Sequence, residues 1–237
     1  GYDASNPLLD LRVRKALNLA INQQEIIDAI FAGVAAPGLV FELWPGNMGY
    51  DAALFKPYPY DPETARQLLR DAGKAGMSIE LYTAPQAGVT ELKELGEAVT
   101  IYWNAVGVKA KLVNVDPVTL TGLRLDRRLA GNAYLFFLPA LPDSSRRFVS
   151  QWHSTKGARN FGSDPRIDEI GPAVLAAVDS KEKARLHREA YKIMYDDYLT
   201  VPLPQPGPLW AHVPEIEYSP KRLQYTNEVA TIRPKAR

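Results

Sequence analysis

The sequence predicts an α/β fold, on three observations. A β-rich run, an amphipathic run and a second β-rich run follow one another from Ser78 to Val115, and such units close as right-handed crossovers with parallel strands. Helices with well-marked ends precede and follow that unit. The 237 residues, 46% of them hydrophobic, suffice for a sizeable core in one large α/β domain or two small ones.

"DLRVRKALNLAINQQEIIDAIFAG" reads as two helices: Val13, Ala16, Leu17, Ala20 and Ile21 form the first apolar stripe, and Asn22 with Glu25 is spaced as a capping box that restarts the chain before Gly33. The following "VAAPGLVFELWPGNMGYDAALFKPYPY" has neither period and reads as a long loop, a length that is uncommon unless functional. In "PYPYDPETARQLLRDAG", Asp61 accepts from first-turn N–H groups, Pro62 suits the first helical position and Gly73 closes the helix in the left-handed region. Ala65, Leu68, Leu69 and Ala72 make its apolar face.

Strands are expected at "SIELYTA" (78–84), "VKAKLVNV" (108–115) and "AYLFFL" (133–138), with helices over 90–106 and from Asp116-Pro117 to about Ala130. Asp164-Pro165 starts another helix, with a kink or break expected at Gly171-Pro172. Asp179 and Glu182 open a helix over 180–198 that places His187 on its polar side. Seven of the 19 prolines follow Thr200, so the tail reads as extended segments.

Composition narrows the function. Lys+Arg number 28 and Asp+Glu 27, without a basic stripe interleaved with aromatics, so the footprint of a nucleic-acid binder is missing. No cysteine is present, which removes a thiol nucleophile, a cysteine-zinc site and any disulfide. The longest apolar run, "AYLFFLPALP", is far shorter than the ~20 residues of a membrane helix and carries two prolines. The chain opens "GYDASNPLLD", which reads as a processed product or a piece of something longer.

His153, His187 and His212 lack metal-ligand spacing, and neither a phosphate-cradling glycine loop nor a G-x-S-x-G elbow is present, so no metal and no cofactor is expected. The basic cluster "LRLDRRLAG" reads as the exposed side of a helix. What remains is a ligand-holding pattern, because in open α/β sheets ligands sit beyond the carboxyl ends of the strands, here "TAPQAG", "NVDP" and "LPALPDSSRRF".

"DLRVRKALNLAINQQEIIDAIFAG", "PYPYDPETARQLLRDAG", "WNAVGVKAKLVNVD", "NFGSDPRIDEI" and "YKIMYDDYLTVPL", in this order over most of residues 7–212, resemble the C-terminal lobe of the extracytoplasmic solute-binding proteins of ABC importers. The subclass is family 5, the dipeptide-, oligopeptide- and nickel-binding type. The resemblance implies a periplasmic-binding-protein-like lobe, with a mixed, mostly parallel sheet flanked by helices and the N-terminal lobe absent. Residues 1–200 would be the ligand-binding lobe and 201–237 a Pro-rich extended tail returning toward the missing lobe. It implies a small solute, a peptide or other small organic molecule, delivered unaltered to a membrane permease. The location implied is periplasmic or extracytoplasmic, with room for a membrane anchor on a missing N-terminal segment.

Peptide-binding relatives carry an acid shortly after the strand matching "YLFFL"; here Pro139-Ala140-Leu141-Pro142 stand there and the first acid is Asp143. Either a shifted turn lets Asp143 receive a ligand's amino group, or that anchor is gone, and the second option is the one preferred. Arg146 and Arg147 are alternatives for an anionic ligand. The expected contact residues are Phe41 and Trp44 from the long loop, Phe137, Leu138 and Leu141 at the strand end, and Asp143 with Asn160 as polar contacts. Strict strand alternation would turn only one of Phe137 and Leu138 toward a ligand. Two other readings compete: an α/β hydrolase or glycoside-acting enzyme using acids such as Asp143, and a sensory or chaperone-like binding module without a transporter.

Overall fold

The computed structural model describes residues 6–41, 43–138, 141–154, 164–206, 213–218 and 232–234. Helix α1 (Leu11–Leu19) is capped by Asp10 and α2 (Gln23–Phe31) by Asn22, whose side chain accepts from the Glu25 N–H. The capping box is modified: Glu25 meets the Asn22 side-chain amide at 3.3 Å and accepts the Tyr102 hydroxyl at 2.7 Å, which ties α2 to the crossover helix. Helix α3 (Pro62–Asp71) starts as its sequence dictates, with Asp61 accepting from the Thr64 N–H and hydroxyl, and Gly73 follows at φ 64°.

β2 (Ser78–Thr83), α4 (Leu92–Ala105) and β3 (Lys109–Asn114) form the expected crossover. β2 pairs in parallel with β3 along its whole length and with β4 (Ala133–Tyr134), in the order β3-β2-β4. Ala65, Leu69, Ile79, Leu81, Leu95, Val99 and Trp103 bury themselves between this layer and α1–α4, and the Trp103 indole donates to the Leu17 carbonyl at 3.0 Å. Among the described residues no strand pairs with the outer edge of β4.

Several expectations need correction. Helix α5 (Pro117–Leu125) ends well before Ala130, because Arg127 turns left-handed at φ 56° and the chain folds back so that Leu129 packs beside Leu120. The third strand shrinks to two paired residues. Beyond them Leu135 N–H still donates to the Tyr82 carbonyl, and the Gln86 side-chain amide takes over the ladder by bonding both the N–H and the C=O of Phe137, at 3.1 and 2.8 Å. After the single-turn α6 (Ser145–Arg147), helix α7 (Pro165–Ala176) is not broken at Pro172.

α8 (Ser180–Asp196) buries His187 completely, so the histidine lies on the packed side and not the polar one. Arg124 of the basic cluster is also buried, its guanidinium 4.9 Å from the Tyr134 ring centre and 4.5 Å from that of Phe136, where cation–π attraction offsets part of its desolvation.

The long loop is the wall of a second core. Val40, Phe41, Leu43 and Phe55 pack with Phe148, Trp152, Ile167, Val174, Tyr191 and Met194 from the segment after β4 and from α7 and α8. Tyr58 stacks between Tyr195 and Tyr198 at 4.9 and 4.6 Å and donates its hydroxyl to the Tyr195 carbonyl at 2.7 Å; burial pushes its pKa up. Within the loop β1 (Ala35–Ala36) pairs antiparallel with β5 (Gln205–Pro206), and Val201 and Leu203 pack on the first core. The opening of the Pro-rich tail is therefore docked on the lobe. Further on, β6 (Ile216–Tyr218) pairs antiparallel with β7 (Ile232–Pro234).

Candidate functional site

Beyond β4 the chain bends through a turn held by the long loop and by α8. The Trp44 indole N–H and the Asn47 side-chain amide both donate to the Leu141 carbonyl, at 3.4 and 2.6 Å, and the Met48 N–H donates to the Pro142 carbonyl at 2.8 Å. The loop can lie this close because of its glycines. A Cβ on Gly46 would sit 1.7 Å from the Trp44 ring, and one on Gly49 would meet the α8 backbone at Arg188 N at 2.7 Å.

Asp143 closes the turn from the other side. It accepts from the Ser145 N–H at 2.8 Å and from the Ser145 hydroxyl, forms an ion pair with Lys183 of α8 at 2.9 Å, and lies 3.3 Å from His187 Nε2. Burial works against the carboxylate charge, but these donors and the ammonium prevail and hold its pKa down at about 2. His187 Nδ1 donates to the Lys183 carbonyl at 2.9 Å, which leaves Nε2 as the acceptor nitrogen of the neutral ring. Burial lowers the His187 pKa although Asp143 pulls the other way.

Ser, His and Asp thus lie together without forming a nucleophilic relay. The serine proton goes to Asp143, the second ring nitrogen is spent on a backbone carbonyl, and the imidazole has no exposure. Among the described residues no group of histidines and acids is placed to hold a metal ion.

Beside this turn a cleft of about 450 Å³ follows the open edge of β4. It touches both faces of the sheet, with Leu17, Leu81 and Trp103 on one side and Arg124, Tyr134 and Phe136 on the other, and the segment 198–206 forms its far wall. Its charged lining is Arg14, Arg124 and Arg127, without a carboxylate.

The site residues expected from sequence fall into separate places. Phe41 is in the second core, its ring 5.1 Å from that of Trp152 and nearly perpendicular, with one edge on the cleft. Phe137 and Leu138 both line the cleft, since strand pairing stops at Tyr134 and alternation no longer governs them. Trp44, Leu141 and Asp143 form the turn, outside the cleft lining. Asn160 lies outside the described residues. Sequence reasoning missed Asn47 and Lys183, which fix the turn, Gln86, which holds Phe137, and the buried His187 beside Asp143; the flanking Gly46 and Gly49 were the available signal for Asn47.

A parallel layer flanked by helices, bordered by an open cleft and with side chains converging at the strand ends, is one lobe of a periplasmic-binding-protein fold. The family profile "Bacterial extracellular solute-binding proteins, family 5 Middle" matches residues 3–160, and the chain belongs to that family.

A glutathione-binding protein of Salmonella typhimurium is 30% identical over 209 residues, covering 83% of this chain and 40% of the relative. The dipeptide-binding protein of Escherichia coli is 30% identical over 203 residues, 80% of this chain and 36% of the relative. This chain thus spans about 40% of the length of the curated relatives it matches. Among solved structures, NikA from Brucella suis in complex with Fe(III)-EDTA superposes with TM-score 0.78 at 20% identity, over 96% of this chain and 48% of that one. The periplasmic binding protein DppA from Helicobacter pylori, in complex with the peptide STSA, gives 0.75 at 18% identity, over 98% and 45%. These likenesses show the fold.

Proposed function

We propose that the chain is the C-terminal, ligand-holding lobe of the substrate-binding component of an ABC-type importer. It captures a small solute outside the cytoplasm and hands it unaltered to a membrane permease. Residues 1–200 form the lobe, and the tail 201–237, docked on it at 201–206, runs on toward a second lobe that closes over the solute by a hinge motion. The solute contacts the strand-end surface of Trp44, Phe137, Leu138, Leu141 and Asp143, with Phe41 supporting it from behind and Asn160 contributing a polar contact.

The observation that carries the reading is the family match, because residues 3–160 hold the whole parallel layer and the turn beyond β4. The names of the relatives support a peptide or peptide-like solute. The hydrolase alternative using Asp143 loses support, since that carboxylate is bound to Lys183 and Ser145.

The test uses the full-length protein, purified under native conditions and then denatured, with mass spectrometry of the small molecules released. A solute that co-purifies, or whose re-addition raises the melting temperature, is the expected result. Protein that releases nothing and gains no thermal stability from peptides, N-blocked peptides or glutathione would overturn it.

A further inference from the structure

A ligand's ammonium group buried at the strand ends needs a carboxylate to receive it, because a desolvated charge without a partner is strongly disfavoured. The described strand-end residues offer two acids, and both are engaged within the lobe. Asp116 caps α5, accepting from the Val118 and Thr119 N–H groups and from the Thr119 hydroxyl. Asp143 holds Lys183 at 2.9 Å and the Ser145 N–H at 2.8 Å. Lys183 presents from α8 what a ligand amine would otherwise present: an ammonium within bonding distance of the turn's carboxylate. The pair is built into the lobe from the lysine's side, since that side chain is 21% exposed and stands on a helix packed against the turn, while the carboxylate's side chain is 41% exposed. The charged groups of the adjacent cleft are arginines.

From this geometry we infer that Lys183 is a specificity-determining residue. It occupies Asp143 as an internal substitute for a ligand amine, so the solute taken at this site carries no free ammonium group and is neutral or anionic. The inference rests on the solute-binding reading above and deepens it.

The experiment measures binding by the full-length protein of matched pairs, di- and tripeptides with apolar side chains and the same peptides N-acetylated, by calorimetry and by melting-temperature shift. The protein should bind the N-acetylated member at least as tightly as the free one. Lys183→Met, which frees Asp143, should move the ratio at least tenfold toward the free amine, and Lys183→Arg, which keeps a cation on Asp143, should restore the original ratio. The melting temperature of each variant without ligand verifies that it is folded. If the unmodified protein prefers the free amine tenfold or more, or if folded Lys183→Met leaves the ratio unmoved, the inference is overturned while solute binding stands. If neither member of any pair binds and no solute co-purifies, the solute-binding reading fails and takes this inference with it.

Discussion

The two cores of this lobe are built differently. The first, around Trp103, is made of regular elements: four helices laid on a parallel layer, three of them started by their own side-chain caps. The second, around Phe148 and Trp152, is closed on one side by a segment without regular structure, in which Val40, Phe41, Leu43 and Phe55 pack against α7 and α8. Apolar faces of regular helices and strands make the first core, whereas the second depends on backbone approaching backbone at particular glycines. The difference teaches where the candidate site gets its rigidity. The turn at Leu141–Asp143 is held by the irregular half, through Trp44, Asn47 and Lys183.

Trp103 is where the first core is most vulnerable. Trp103→Ala removes the largest side chain of the first core, 2% exposed and bonded to the Leu17 carbonyl, and should cost about 4 kcal/mol in urea unfolding. A loss under 1 kcal/mol would mean that this core is not the stabilising centre of the lobe. In the irregular half Gly38→Ala should cost nearly as much, about 3 kcal/mol, since the added Cβ would lie 2.1 Å from the Leu203 carbonyl oxygen, where neither backbone can yield. Gly122→Ala is the control: it meets nothing within 4 Å, sits inside α5, and should be neutral or slightly stabilising. Equal effects of the two glycine changes would refute the claim that the loop is docked on the tail.

The next effect is pH-dependent and belongs to the irregular half. Burial lowers the folded-state pKa of His187 below its ordinary 6.5. The unfolded chain therefore takes up a proton as pH falls through 6.5 while the folded chain resists, and stability is complete above that pH and declines below it. Asp143 has the opposite chemistry and a lower window. Its folded pKa of about 2 against 3.8 gives stability that is present above pH 4 and is lost as pH falls toward 2. Chemical denaturation at a series of pH values should show two separate declines. His187→Gln should flatten the upper one alone; an unchanged upper decline in that variant would place its origin elsewhere.

What could be read from the sequence follows the same division. Asp61-Pro62, Asp116-Pro117 and Asp164-Pro165 announce helix starts because a cap is a local device, completed within three residues, and all three are found capping. The crossover was legible for the same reason, as its periods are intrinsic to each segment. The wall of the second core was not, because Tyr58 meets Tyr195 and Trp44 meets Leu141 across 137 and 97 residues, and no pattern within the loop states which partner will cover it. His187 was misread because its helix has charged residues on both flanks, and only the turn packed on it shows which side is inward. The candidate site was legible as a place, the end of the third strand, but not as a charge state. Asp143 stands forty residues from the lysine that neutralises it.

The smallest effect sharpens the contrast from the regular side. Asp61→Ala removes the side chain that accepts from the Thr64 N–H at 3.0 Å and from its hydroxyl, at the start of α3. An N-cap of this kind contributes about 1 kcal/mol. The aspartate is half-buried and bonded to its own helix start, so the loss should appear as a small shift of the unfolding midpoint with an unchanged m-value and no change in the pH window of His187. If this one substitution also altered ligand binding or the upper pH decline, the cap would be coupled to the turn through α1 and the Leu19 carbonyl, which accepts the Asp61 N–H at 2.8 Å. The two cores would then have to be treated as one mechanical unit.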